Sequence, residues 1–236
     1  ILLLFLFAKY ITSAIFSQRS DGSPRLKYRT YDFYNDLDGT KVSIKSNNNQ
    51  TLNGYVYKNK ANKDVDGLIV FFHGFSAGHY AYLDLIHRLT KMNYDVIAFD
   101  NTGCCISTGK CVKGLAQGDI DSEYIYKFVK ELKEYKNKQI ISMGHSWGGH
   151  VSTTFAKDHS DLVNKCVTIA PFDNNCNLYF AFAPFFKFLK PFIYLSNLTT
   201  FDKKHLRSAK ENIQNITKGS AQTALPFLFS FNLYNN

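Results

Sequence analysis

The segment that most restricts the fold is Gly144-His145-Ser146-Trp147-Gly148, set between the apolar run Gln139–Met143 and the helix-like stretch Gly149–Asp158. A short apolar run bounded by glycine reads as a buried strand, and the spacing of apolar residues after it reads as a helix. A strand that passes directly into a helix must turn sharply. Glycines on both sides of Ser146 suit that turn, because side chains there would collide. The serine then stands at the apex with its hydroxyl pushed clear of the backbone. The amide of Trp147 and the start of the helix point donors at any oxyanion that forms nearby. This is the pattern of a nucleophile elbow, and Ser146 is its candidate nucleophile.

Strand-like and helix-like segments alternate on either side of the elbow. Lys41–Ser46 and Thr51–Lys58 flank the polar turn Asn47–Gln50 and predict an N-terminal antiparallel hairpin. Leu68–Phe72 is a solid apolar run that ends in His73-Gly74-Phe75. Tyr80–Met92 carries apolar residues at helical spacing, and Tyr94–Phe99 predicts another buried strand, stopping at Asp100. Asp119–Tyr135 predicts an amphipathic surface helix with Asp119 or Asp121 near its start, and Lys165–Ala170 a further strand. Such alternation predicts an α/β fold with a mostly parallel sheet and helices on both faces. Ligands of these sheets gather at the carboxyl ends of the strands, where His73, Asp100, Ser146 and Asp173 fall.

Asn177–Thr200 breaks the rhythm. Its phenylalanines and tyrosines, grouped around Pro184 and Pro191, predict a short helical lid inserted at about 175–201. The lid aromatics suit an acyl chain or packing on the domain and on one another. Asp202–Ile216 then predicts a polar helix and Leu225–Phe231 a last strand.

The 236 residues suffice for one sizeable α/β domain with an insertion. A formal charge of +9 arises from 28 Lys and Arg against 19 Asp and Glu. The lysines are scattered, without a basic stripe interleaved with aromatics or a nucleic-acid-reading motif, so nucleic acid is not the expected partner. Five cysteines, with Cys104 and Cys105 adjacent, argue for free thiols, and none has zinc-ligand spacing. His145 and His150 are spaced wrongly to share a helix face as metal ligands. Gly103 to Gly109-Lys110 mimics a phosphate loop, but the glycine spacing is wrong and Cys111 stands where a magnesium-binding hydroxyl is needed. No metal or other cofactor is expected.

Ile1–Phe16 is nearly all apolar, and Arg19, Arg25, Lys27 and Arg29 follow it. Two readings stand side by side. One is a clipped membrane anchor, short of the roughly 20 residues of a full span, which would leave the main domain on the cytoplasmic side. The other is an N-terminal helix docked on a cytoplasmic domain. The chain therefore divides into an apolar segment and basic linker over 1–29 and a main domain over 30–236.

His73-Gly74-Phe75, Asp100-Asn101-Thr102-Gly103 with Ser107, and Gly144-His145-Ser146-Trp147-Gly148-Gly149 together resemble the α/β-hydrolase superfamily. Within it they are similar to the serine aminopeptidase-like and monoacylglycerol lipase-like branch. The resemblance implies an α/β-hydrolase fold, Ser146 as nucleophile and the amides of Phe75 and Trp147 as the oxyanion hole. His73 is read as a brace for its turn rather than a proton carrier. Thr102 stands where the family usually has arginine, and Cys105 where it has a second glycine, changes that touch loop shape.

The family also implies an aspartate and then a histidine after the lid. Here the aspartate position falls near Asn235 and the final strand lies beyond Asn236, so the sequence reads as truncated or altered at its C-terminal end. Asp173 with His205 is a substitute pair that keeps the required chain order. The expected function is a serine hydrolase of carboxylic esters with apolar acyl groups, amides included, working through an acyl-enzyme. The alternative is an inactive hydrolase-fold protein that binds an apolar ligand or a partner.

Overall fold

A computed structural model describes residues 2–23, 27–172 and Phe192. Its sheet consists of β1 (Leu37–Lys45), β2 (Thr51–Asn59), β3 (Gly67–Phe72), β4 (Tyr94–Phe99), β5 (Gln139–His145) and β6 (Lys165–Ile169). Their spatial order is β1-β2-β4-β3-β5-β6. β1 and β2 form the expected hairpin, with Leu37 opposite Asn59 and Lys45 opposite Thr51. β2 runs antiparallel to β4, while β4, β3, β5 and β6 are mutually parallel. The mostly parallel sheet and its N-terminal hairpin are as the sequence predicts.

The solid apolar runs form strands because both faces of the sheet are covered. In β3, Leu68, Val70 and Phe72 face one side, where Ile125 and Val129 of α3 (Ala116–Glu131) and Val151 and Phe155 of α4 (Trp147–Asp158) pack. Ile69 and Phe71 face the other, against Leu83 and Ile86 of α2 (Leu83–Lys91). Each such buried side chain contributes about 1.5–3 kcal/mol. α2 places Asp84 in its first turn and Arg88 and Lys91 in its last, matching its macrodipole.

β1 starts at Leu37, ahead of Lys41, and a 3₁₀ turn over His79–Tyr82 precedes α2, so the helix expected over Tyr80–Met92 is shorter. Three further differences bear on the site. α3 starts at Ala116, ahead of Asp119, because the left-handed residues Lys113 and Gly114 turn the chain early and Gln117 N–H and Gly118 N–H bond back to Gly114 and Leu115. Asp121 is therefore fully buried within the helix, and the first two turns of α3 are buried rather than surface-facing. At its far end α3 stops at Glu131, and a separate 3₁₀ turn covers Lys133–Tyr135. Around the elbow, β5 continues to His145 and α4 starts at Trp147, so the turn is tighter than the apolar pattern suggests.

Residues Leu2–Phe16 form helix α1. Ala8 and Phe16 are buried, whereas Leu2, Leu3, Leu4, Leu6, Phe7 and Tyr10 are exposed. Among the described residues no helix is long and apolar enough to cross a membrane. The chain after α1 is stitched to the loop that follows β4: Lys113 N–H bonds Phe16 O, Val112 N–H bonds Gln18 O, and Ser20 forms a parallel bridge with Cys104. The lid segment 177–200 apart from Phe192, the helix expected at 202–216 and the strand expected at 225–231 lie outside the described residues.

Candidate active site

Ser146 connects β5 to α4 with φ 53° and ψ −114°, a conformation rare for a residue with a side chain. Holding it costs about 1–3 kcal/mol, offset by the surrounding packing. Its amide donates to Ile169 O of β6 at 2.9 Å, and its carbonyl accepts from His150 N–H at 3.1 Å. The flanking glycines are sterically required. A β-carbon on Gly144 would lie 2.1 Å from Gly148 O, and one on Gly148 would lie 1.9 Å from Phe72 O. Ser146 is half-buried, so its side chain is reachable from solvent.

The turn after β3 supplies the facing wall. Phe75 and Trp147 meet edge to face with ring centroids 5.9 Å apart, which brings the residues of both expected oxyanion donors together. Among the described residues neither backbone amide donates a hydrogen bond. Trp147 is fully buried, its indole N–H donating to Leu115 O at 2.8 Å, which fixes the first residue of α4.

His73 is buried and acts as the brace the sequence suggests. Its Nδ1–H donates to Gly74 O at 2.9 Å and its Nε2 accepts Asn101 N–H at 3.0 Å, joining the ends of β3 and β4. Burial pushes its pKa down, in keeping with a neutral ring. Asp100 is likewise committed to the loops: one carboxylate oxygen accepts His79 N–H and the His79 ring, the other Ile106 N–H. Burial acts to raise this carboxyl, but His79 and His73 beside it together outweigh burial and the net shift is downward.

Three features were not anticipated. Tyr82, in the 3₁₀ turn before α2, places its hydroxyl 3.0 Å from Gly74 N and 2.9 Å from His145 Nδ1, linking the turn after β3 to the elbow. Asp121 accepts Thr102 N–H at 2.7 Å, the Thr102 hydroxyl, Ser46 Oγ–H and Gln117 Nε2–H, so the threonine in the arginine position has a buried partner of its own. Arg19, far away in sequence, gathers the carbonyls of Cys105, Ser107 and Gly109 at 2.7, 3.1 and 2.6 Å. Its only signal in the sequence is an arginine close after an apolar segment.

Cys104, Cys105, Cys111 and Cys166 are free thiols. Among the described residues no group of three His, Cys, Asp or Glu side chains could hold a metal ion. Asp173 and His205 lie outside the described residues.

The sheet order together with a serine held in a strained strand-to-helix turn defines an α/β-hydrolase type of protein. Residues 67–210, more than half of the chain, match the family model described as alpha/beta hydrolase fold, and the chain belongs to that family. It is 27% identical over 133 residues to the AB hydrolase superfamily protein YfhM of Bacillus subtilis, covering 56% of this chain and 44% of that protein. It is 32% identical over 104 residues to epoxide hydrolase B of Mycobacterium tuberculosis, covering 44% of this chain and 28% of that enzyme. The chain thus spans less than half the length of these curated relatives. Among solved structures, the esterase Pf2001 of Pyrococcus furiosus shares the fold, with TM-score 0.56 and 20% identity over 84% of this chain and 86% of the esterase. Est1E of Butyrivibrio proteoclasticus aligns with TM-score 0.50 and 21% identity over 55% of this chain and 52% of its own.

Proposed function

We propose that this protein is a serine hydrolase of carboxylic esters with apolar acyl groups, amides being slower substrates. The observations that carry the reading are the strained apex at Ser146 and the contact of its neighbour Trp147 with Phe75, two residues whose amides have no acceptor among the described residues. Ser146 Oγ attacks the acyl carbon while a base takes its proton. The carbonyl oxygen becomes an oxyanion held by the Phe75 and Trp147 amides, each worth about 3 kcal/mol in a water-poor site. The alkoxide leaves with a proton, and water then hydrolyses the Ser146 acyl ester, regenerating the hydroxyl. Asp173 with His205 is the fallback pair for the base and its acid.

The kinship to an epoxide hydrolase does not redirect this reading. A serine oxygen that opened an epoxide would form an alkyl ether, which has no carbonyl for water to attack, so turnover would stop. An ester substrate leaves an acyl group that water can clear. The same residues favour the serine aminopeptidase-like and monoacylglycerol lipase-like branch of the family. A main domain over 30–236 with a lid at about 175–201 belongs to the same proposal.

The exposed leucines of α1, with exposed Lys9 on the helix and Lys27 after it, support attachment to a membrane surface with the domain on the cytoplasmic side. The competing reading is an inactive hydrolase fold that binds an apolar ligand or partner. A fluorophosphonate probe separates the two. Labelling that disappears in Ser146→Ala supports the hydrolase, and no labelling of the wild-type protein supports the binding protein.

A further inference from the structure

The two walls of the oxyanion site come from neighbouring strands whose ladder ends with Phe72 opposite Gly144, short of both turns. Phe75 follows β3, and Trp147 follows β5. Tyr82 is the side chain that spans the gap. Gly74 N–H, one residue before Phe75, donates to Tyr82 Oη at 3.0 Å, and the same oxygen lies 2.9 Å from Nδ1 of His145, one residue before Ser146. The Tyr82 ring is held in place by Phe71 of β3, 4.9 Å away between centroids. There is no room for an alternative at the glycine, since a β-carbon on Gly74 would lie 2.8 Å from the Tyr82 oxygen and 3.1 Å from His145 Nδ1.

The proton arrangement follows from counting. One lone pair of the Tyr82 oxygen takes Gly74 N–H. Among the described residues the only acceptor within reach of the Tyr82 hydrogen is His145 Nδ1. All three groups are paired when His145 is neutral with a bare Nδ1, and burial favours that neutral form. Protonating Nδ1 would leave the Tyr82 hydrogen without an acceptor among the described residues.

We infer that Tyr82 is a positioning residue that sets the Phe75 amide against the Ser146 apex by locking the Gly74 turn to His145. It touches no substrate atom. Its effect is felt through the placement of a donor whose misplacement by about 1 Å costs on the order of a hundredfold in rate. The inference rests on the serine hydrolase reading above.

The test is steady-state hydrolysis of a p-nitrophenyl ester by the full chain. In Tyr82→Phe, kcat should fall at least about tenfold with KM changed by less than about twofold, because the donor acts on the transition state rather than on ground-state binding. His145→Ala should behave alike, whereas His145→Asn, whose side-chain oxygen can accept at the Nδ1 position, should keep kcat within about threefold of wild type. The double variant Tyr82→Phe with His145→Ala should be no slower than the slower single variant, as expected of one relay. An unchanged kcat in Tyr82→Phe, or an Asn variant no better than the Ala variant, overturns the inference. If Tyr82→Phe fails to fold, the two His145 variants decide alone. Absence of fluorophosphonate labelling at Ser146 in the wild type would instead overturn the hydrolase reading, and this inference with it.

Discussion

Gly148 sits against the end of β3 so closely that a β-carbon on it would lie 1.9 Å from the carbonyl oxygen of Phe72. That contact lets α4 begin directly beneath the turn of His73-Gly74-Phe75 and so brings Trp147 beside Phe75. The strained backbone at Ser146 and the absence of a side chain at 148 are two parts of one geometry.

Gly148→Ala should therefore cost about 3 kcal/mol or more, since the obstruction is backbone and cannot rotate away. Urea unfolding would measure the loss. Gly22→Ala, where the added carbon meets only the ring of Tyr28 at 3.1 Å, strains a positive φ but should leave fluorophosphonate labelling intact.

Arg19 holds three carbonyls of the loop after β4 and pairs with Asp21 at 2.8 Å. Removing it in Arg19→Ala should destabilise the protein by about 1–2 kcal/mol, the scale of lost hydrogen bonds to a charged donor at a partly exposed site. Arg19→Lys should not restore stability, because a single ammonium cannot reproduce the fork. Limited proteolysis within 103–113 should speed up in both variants.

Folding lowers the pKa values of His73 and His145 below the free value of 6.5, chiefly through burial. The unfolded chain then binds these protons first, so stability present at neutral pH is lost as pH falls below about 6.5 toward the folded values. Tyr28 acts electrostatically on Tyr82, which faces His145, and Asp100 and His79 act on His73. Asp121 works in the opposite sense, because burial raises its carboxyl. That share cancels when His145→Asn is compared with wild type. Thermal melts from about pH 7 to about pH 5 should give a shallower fall in Tm for the variant, since one of the two depressed histidines is gone.

Much of this architecture is legible in the residues. β3, β4 and β5 are solid apolar runs because both of their faces are covered, and the elbow announces itself through glycines that backbone contacts demand. His73 was readable as a brace from its place at a strand end. Tyr82 was not readable: it is one of 15 tyrosines, and what distinguishes it is a meeting with Gly74 and His145 that only the folded sheet creates. Arg19 was hidden for the same reason. The early start of α3 was missed because Asp119 resembles a cap, while the actual turn is made by Lys113 and Gly114.

The membrane proposal makes a separate demand on α1, where Leu3 is 82% and Phe7 46% exposed. Leu3→Glu and Phe7→Glu should each weaken binding to phosphatidylserine vesicles by about tenfold or more, from the loss of about 1.5–3 kcal/mol of apolar burial. Co-sedimentation at low salt would measure it, and binding equal to wild type would count against a lipid-facing helix.

The most direct test of the central claim is to mix the protein with p-nitrophenyl butyrate, quench in acid and locate the acyl group by mass spectrometry. The account predicts a burst of p-nitrophenol and a butyryl group on Ser146, both lost in Ser146→Ala. Product released with no acyl group at Ser146, or an acyl group carried by another residue, would contradict it.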